Sequence, residues 1–275
     1  MDPEAIEQLE LTLLLEAIFQ RWGYDFRGYA RASVRRRVGE FMASQGLARV
    51  ADLTARVLHE EALFRELLHQ FSVPVSEMFR DPAVYLALRR QVVPYLRTYP
   101  FIKVWHAGCA GGEEVYSLAI LLEEEGLYDR CTIYATDLNE AALERARAGV
   151  YPVAGVADFT ENYQRAGGHG SLADWYQAGY DRVALRSSLR RNVTFARHNL
   201  ATDHVFSEVH LVLCRNVLIY FDRPLQDRAI GLFEESLVHD GFLCLGTKES
   251  LDFSARREAF SELDGAARIY RRRPC

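Results

Sequence analysis

Residues 102 to 126, IKVWHAGCAGGEEVYSLAILLEEEG, narrow the possible folds more than any other stretch of the chain. Ile102 to Ala107 reads as a buried strand, Gly108, Gly111 and Gly112 as a glycine-rich turn, and a helix is expected from about Glu113. Strand, glycine turn and helix in that order open a parallel nucleotide-binding sheet. On this reading the glycines let a ligand come closer to the backbone than a Cβ permits. In a dinucleotide site the helix N-terminus faces a pyrophosphate, which Glu113 and Glu114 in the first turn would repel. The turn therefore suits a ligand without phosphate. Acids at a helix start also complement its dipole, at about 0.3–1 kcal/mol each, so that alternative stays open for either glutamate.

The next segment, CTIYATDLNEAALERARAG, reads as a strand ending in Asp137 followed by a helix opened by Asn139. A carboxylate at a strand tip can accept both hydroxyls of a ribose. It could instead cap the helix, but Asn139 can fill that role. After an irregular middle segment, Asn192 to Leu200 and His210 to Phe221 read as two more apolar strands, each ending in polar residues. Ligands of open α/β sheets bind beyond the carboxyl ends of the strands, which puts Asn199, Asn216 and Tyr220 on the edge that carries Gly108 and Asp137.

The N-terminal third differs in charge. Phe26 to Arg56 holds seven arginines (27, 31, 35, 36, 37, 49 and 56) against Glu40 and Asp52, a local balance of +5 in a chain of net charge -5. Val34, Val38, Phe41 and Met42 recur at helical spacing, so Arg31 and Arg35 can share an exposed stripe that wants an acidic partner. A solvated helix face is the plainer alternative. Two more amphipathic helices are expected, Val50 to Leu58 and Glu61 to Phe71, which makes a small helical domain.

The acidic total argues against a protein that coats nucleic acid. Cys109, Cys131, Cys214, Cys244 and Cys275 are scattered without metal-ligand spacing, so a reduced compartment and no structural metal are expected. Cys109 and Cys214 read as small packing residues. No run approaches the roughly 18 apolar residues of a membrane span, and MDPEAIEQLELTLLL is acidic where a secretory signal is basic, so a cytoplasmic location is expected.

In order and spacing, SVPVSEMFRD, AGCAGGEEVYSLAI, ATDLN, RHNL and CRNVLIYFD resemble the CheR-type chemotaxis receptor methyltransferases over nearly the whole chain. The resemblance implies a Rossmann-like class I methyltransferase sheet with a small antiparallel β insertion at about 151–191, preceded by an all-α domain. The divisions it suggests are a helical domain over 1–75, a linker with a linking helix over 76–100, and an S-adenosylmethionine-binding catalytic domain over 101–275. It implies that Ser76, Arg80, Glu114, Asp137, Leu138, Asn199, Leu200, Asn216 and Val217 bind S-adenosylmethionine. Arg80 and Tyr220 would face methyl transfer, and S-adenosylhomocysteine would be the product. The implied substrate is a glutamate on the acidic helical bundle of a chemoreceptor, with Arg31, Arg35 and Arg36 docking it and the enzyme a monomer.

The chain departs from that family at Pro74, at Val115 and at Thr247 and Lys248, where the family often has asparagine, proline and a His-Ser pair. Pro74 offers no N–H donor and is left out of the expected site. The insertion looks short, with candidate strands around Trp175 to Gln177 and Arg182 to Leu185, which favours an enzyme that needs no tethering peptide. A carboxylate substrate is ionised at neutral pH, so no general base is required, in keeping with the absence of a His/Asp dyad from these motifs. Three rivals remain: an NAD-dependent dehydrogenase, a methyltransferase acting on RNA or another small target, and a catalytically silent binding module. Glu113 and Glu114 disfavour the first, and the acidic total disfavours the second. Retention of Arg80, Asp137 and Tyr220 together disfavours the third.

Overall fold

The structure, a computed structural model, describes residues 2–71 and 76–274. Four helices come first: α1 (Pro3–Trp22), α2 (Arg31–Ser44), α3 (Val50–His59) and α4 (Glu61–Phe71). Asp2 caps α1 by accepting from the Ala5 N–H at 2.7 Å, Pro3 stands in the first turn, and left-handed Gly23 (φ 75°) ends the helix. The four helices close around one apolar cluster that includes Leu14, Ile18, Val34, Val38, Leu53 and Leu67. Trp22 stacks on Phe64 at 4.8 Å, and Phe26 on Phe71 at 4.7 Å.

The arginine-rich stretch is far less naked than its sequence suggests. Arg35 pairs with Glu7 at 2.7 Å and Glu4 at 3.3 Å, both on α1, and Arg36 pairs with Glu40 at 2.8 Å. Arg31 donates to the Thr12 hydroxyl at 3.2 Å, and among the described residues it has no carboxylate partner. The acidic partner expected for this stripe is thus partly supplied within the chain. These pairs are exposed and screened by water, so each contributes little and can be exchanged for another acid at little cost. Arg37 is buried.

A short helix α5 (Pro82–Ala87), a π-helical turn (Leu88–Val92) and α6 (Val93–Leu96) lead into the sheet. Then follow β1 (Ile102–Ala107), α7 (Glu113–Glu124), β2 (Cys131–Asp137), α8 (Glu140–Ala148), β3 (Val150–Pro152), α9 (Val156–Arg165), β4 (Tyr176–Ala178), β5 (Arg182–Leu185) and β6 (Val193–Arg197). The chain ends with β7 (Val209–Cys214), α10 (Arg223–Ser236), β8 (Leu237–Leu245), β9 (Phe260–Asp264) and β10 (Ile269–Arg272). The main sheet runs β6-β2-β1-β7-β8-β10-β9, parallel from β6 through β8 and antiparallel at β10 and β9. The expected Rossmann-like sheet and its helical preface are both present.

The chain builds outward from β1 through β2 to β6, then crosses to β7 on the other side. That reversal leaves a crevice at the carboxyl ends of β1 and β7, where sheets of this class bind their ligands. The insertion is a separate antiparallel sheet, β3-β5-β4. It has three strands rather than the two expected, begins at Val150, and carries the helix α9. Tyr151 on β3 donates to the Gly111 carbonyl at 2.7 Å, which ties the insertion to the glycine turn.

His210 to Phe221 is not one strand. The ladder stops at Cys214, Asn216 takes a left-handed φ of 59°, and Leu218–Tyr220 forms a 3-10 turn. Leu218 and Phe221 are apolar because they pack into a second core cluster with Leu225 and Ile230, not because they extend the sheet. No helix among the described residues is long and apolar enough to cross a membrane.

Candidate active site

Above the crevice lies a cleft with about 1010 Å³ of space between its walls, a volume that includes open solvent. Ser76, Arg80, Glu114, Asp137, Leu138, Asn199, Leu200, Asn216, Val217 and Tyr220 all line it. Five segments of the chain therefore converge as expected. Arg31, Arg35 and Arg36 lie outside the cleft on α2. Pro74 falls outside the described residues. Thr247 and Lys248 are exposed just beyond β8 and do not line the cleft.

The glycine turn is stitched to the sheet, since the N–H groups of Gly108 and Cys109 both donate to the Thr136 carbonyl at 2.8 and 2.9 Å. Its glycines serve internal packing. At Gly108 (φ 75°) a Cβ would stand 2.4 Å from Val217 Cγ2, and at Gly112 (φ 89°) 2.8 Å from Ala146 Cβ. At both positions a Cβ would meet the chain's own side chains, which is one reason for glycine there, and Gly108 also lines the cleft. Ala110, with φ 46°, presents its N–H to Asp137 Oδ2 at 2.8 Å.

Asp137 thereby holds the turn from β2, and its Oδ1 accepts the Asn139 N–H at 2.9 Å. Asn139 caps α8 by accepting from the Ala141 and Ala142 N–H groups at 3.0 and 3.3 Å. Burial raises the Asp137 carboxyl, with the N–H donors of Asn139, Ala110 and Leu138 pulling the other way. A ligand hydroxyl donating to it would favour its charged form.

The two glutamates of the turn part company. Glu114 is buried against the cleft, where its Oε1 accepts from Arg215 Nη1 at 2.9 Å and its Oε2 lies 3.4 Å from His106 Nε2. Burial pushes its carboxyl up, but Arg215, His106 and Arg80 outweigh that and hold it below the usual range. Glu113 is not among the lining residues; its carboxylate folds back to within 2.8 Å of where a Cβ of Gly111 would stand. The repulsion of phosphate inferred from both acids therefore rests on Glu114 alone.

Several contributors were not visible in the sequence pattern. Arg215, whose side chain is fully buried, donates to the Arg80 carbonyl at 3.1 Å and to Asp81 Oδ2 at 2.7 Å as well as to Glu114. It fastens the linker to the cleft. Phe79 and Asp81, on either side of Arg80, both take a φ of 54°, a conformation that non-glycine residues adopt only under constraint. With Asp81 engaged by Arg215, the Arg80 guanidinium has no ion pair or hydrogen bond among the described residues. Glu249 is the second such residue, accepting from the N–H groups of Gly246, Asn216 and Ile219 at 2.6, 3.0 and 3.2 Å and fixing the turn after β7. Phe26, Tyr29, Phe71, His106 and His198 also line the cleft. Cys109 and Cys214 are buried, and burial raises both thiols well above their usual range, which unsuits them as nucleophiles.

The lining sets an acid at the helix start, Glu114, and an acid at a strand tip, Asp137, beside the apolar Leu138 and Leu200. Asn216 Oδ1 is buried without a hydrogen-bond partner, an acceptor in need of a donor. Among the described residues no group of three or more His, Cys, Asp or Glu could hold a metal ion.

Comparison with known proteins agrees with this geometry. Residues 74–268 match the CheR methyltransferase SAM-binding domain, and residues 9–72 match the CheR methyltransferase all-alpha domain. A Pseudomonas putida protein that carries the name methyltransferase Cher3 is 53% identical over 272 residues, covering 99% of this chain and 100% of its own. A chemotaxis protein methyltransferase of Listeria monocytogenes is 31% identical, covering 83% of this chain and 85% of its own. Chemotaxis protein methyltransferase 1 of Pseudomonas aeruginosa is 27% identical, with 80% and 82% covered.

Proposed function

The chain belongs to the CheR methyltransferase family, and from that premise we propose that it forms γ-glutamyl methyl esters on the cytoplasmic helices of a bacterial chemoreceptor. The observation that carries the proposal is the convergence of Arg80, Glu114, Asp137, Asn216 and Tyr220 on one cleft that has an acid, not a cation, at its helix start. Two relatives named as chemotaxis protein methyltransferases support the receptor as substrate.

When bound, S-adenosylmethionine supplies a methyl group activated by its sulfonium. In this reading Glu114 and Asn216 hold its amino-acid end, Asp137 its ribose, and Leu138, Asn199 and Leu200 its adenine. Ser76 and Val217 close the wall around it. Arg80, whose guanidinium makes no hydrogen bond or close ion pair among the described residues although the charge of Glu114 lies within its reach, orients the substrate carboxylate. Tyr220 lines the approach and keeps water out. No residue needs to act as a base, because the substrate carboxylate is already ionised. Alignment is the main task, an effect worth up to roughly 7–11 kcal/mol when the geometry is good.

Arg31, Arg35 and Arg36 would dock the acidic receptor bundle, exchanging their partners on the chain for receptor carboxylates. Peptide mass spectrometry of receptor incubated with enzyme and S-adenosylmethionine tests the reading. One methyl group on a glutamate side chain is expected, and methylation of lysine, arginine or RNA alone would overturn it. Arg80→Ala should abolish transfer while S-adenosylhomocysteine still binds; loss of binding alone would move Arg80 to the cofactor.

A further inference from the structure

The helical domain pushes a cation against the wall of the cleft. Arg37 on α2 is 2% exposed, and its guanidinium carbon lies 4.3 Å from the centroid of the Tyr220 ring. Its Nη1 donates to the Phe71 carbonyl, while Nε and Nη2 are buried with no hydrogen-bond partner. Among the described residues no carboxylate pairs with it. A buried charge so poorly compensated is costly, and a hydrophobic side chain of similar size would fill the space without that cost. Beside the Phe71 carbonyl, it is the ring face of Tyr220 that compensates this guanidinium.

The backbone around Tyr220 is held by the same domain. The Ala30 N–H donates to the Tyr220 carbonyl at 2.9 Å, Tyr29 and Phe221 form an antiparallel bridge, and the Asp222 N–H donates to the Gly28 carbonyl at 2.8 Å. Residues 28–30 lead directly into α2. The segment that leads into α2 therefore holds the main chain at Tyr220, and Arg37 on α2 itself contacts the ring of that cleft residue.

We propose that Arg37 is a positioning residue for Tyr220: its guanidinium holds the phenol ring at the angle transfer requires, so that α2 joins the docking face to the reacting centre. Arg37 itself does not line the cleft and touches no reacting atom. The proposal rests on the placing of Tyr220 beside the methyl path under Proposed function. It makes the helical domain part of the catalytic apparatus as well as a platform for the receptor.

The test compares full-length wild type, Arg37→Met, Arg37→Lys, Tyr220→Ala and the Arg37→Met/Tyr220→Ala pair, with kcat and KM for receptor and calorimetric binding of S-adenosylhomocysteine. Arg37→Met should lower kcat about tenfold with KM and the S-adenosylhomocysteine Kd within about twofold. Arg37→Lys should recover part of the loss, and Arg37→Met should add nothing once Tyr220 is alanine. Unchanged kcat with only a lower melting temperature, or losses that multiply in the pair, would overturn the role. A second readout needs no substrate: with 13C-labelled tyrosine, the ring resonance that Tyr220→Ala removes should move in Arg37→Met. If that resonance stays in place, the proposal fails. Failure of the wild type to methylate receptor while the resonance moves would refute the receptor reading instead.

Discussion

Replacing Glu113 by glutamine should stabilise the protein in mildly alkaline solution and do little in acid. One carboxylate oxygen of Glu113 is buried with no hydrogen-bond partner. Burial pushes the carboxyl up to about 7 from 4.5, against the pull of a backbone N–H and of Arg145. Because the folded value lies above the unfolded one, the folded protein keeps a proton that the unfolded chain has already lost. The resulting penalty on folding is absent below about pH 4.5, grows as pH rises between the two values, and is complete above about pH 7. The gap between them corresponds to about 3 kcal/mol. Glutamine has nearly the same shape and no charge, so it removes the penalty without opening a cavity. Scanning calorimetry at about pH 8 should show a melting temperature raised on the order of 5 °C over wild type, with most of that gain gone at about pH 5. An equal gain at both pH values, or none at the higher one, would refute the reasoning.

Arg215→Met should destabilise by about 3–5 kcal/mol in urea titration, because it strands Glu114 inside the protein without its cation. Adding Glu114→Gln should recover part of that, and independent, additive losses would contradict the coupling. Gly108→Ala should cost about 2 kcal/mol or more in the same assay, since the new methyl meets Val217 and the backbone is left-handed there. Val217→Ala in the same chain should relieve the clash but not the backbone strain. For docking, kcat/KM with receptor should fall several-fold between low salt and about 0.5 M salt if α2 steers the encounter, and a flat profile would end that idea.

Much of the parallel core was legible because its signals are local. Ile102–Ala107 is a mostly apolar run, interrupted by Lys103 and His106 and closed by a glycine, and Glu61–Phe71 repeats its apolar residues at helical spacing, so both elements match their reading. The same logic misjudged residues 215–221, where the apolar run continues but the ladder does not. There Arg215 turns to Glu114 and Asp81 while Leu218 and Phe221 serve a different cluster. Strand β3 was missed because three residues with one buried side chain carry almost no periodic signal.

Site residues that act through their own side chain in a motif were legible; residues that act through someone else's backbone were not. Glu249 works by accepting three N–H groups, two of them from about 30 positions away in the chain, a pattern that only the fold creates. Arg37 resembled its neighbours in a basic run. Its position three residues after Val34 and one before Val38 places it beside the buried stripe, and that was the signal that could have found it. The pairing of Arg35 with Glu4 and Glu7 joins two helices whose contact lies beyond any local pattern.

The carboxylate esterification proposed for this cleft would leave a base-labile methyl group on the receptor. It is detected by incubating the protein with methyl-labelled S-adenosylmethionine and purified chemoreceptor and then treating the labelled receptor with mild base. Release of the label as methanol, with no labelling of receptor whose candidate glutamates are alanine, is the predicted result. Label that survives base, or appears equally on the alanine receptor, would contradict it.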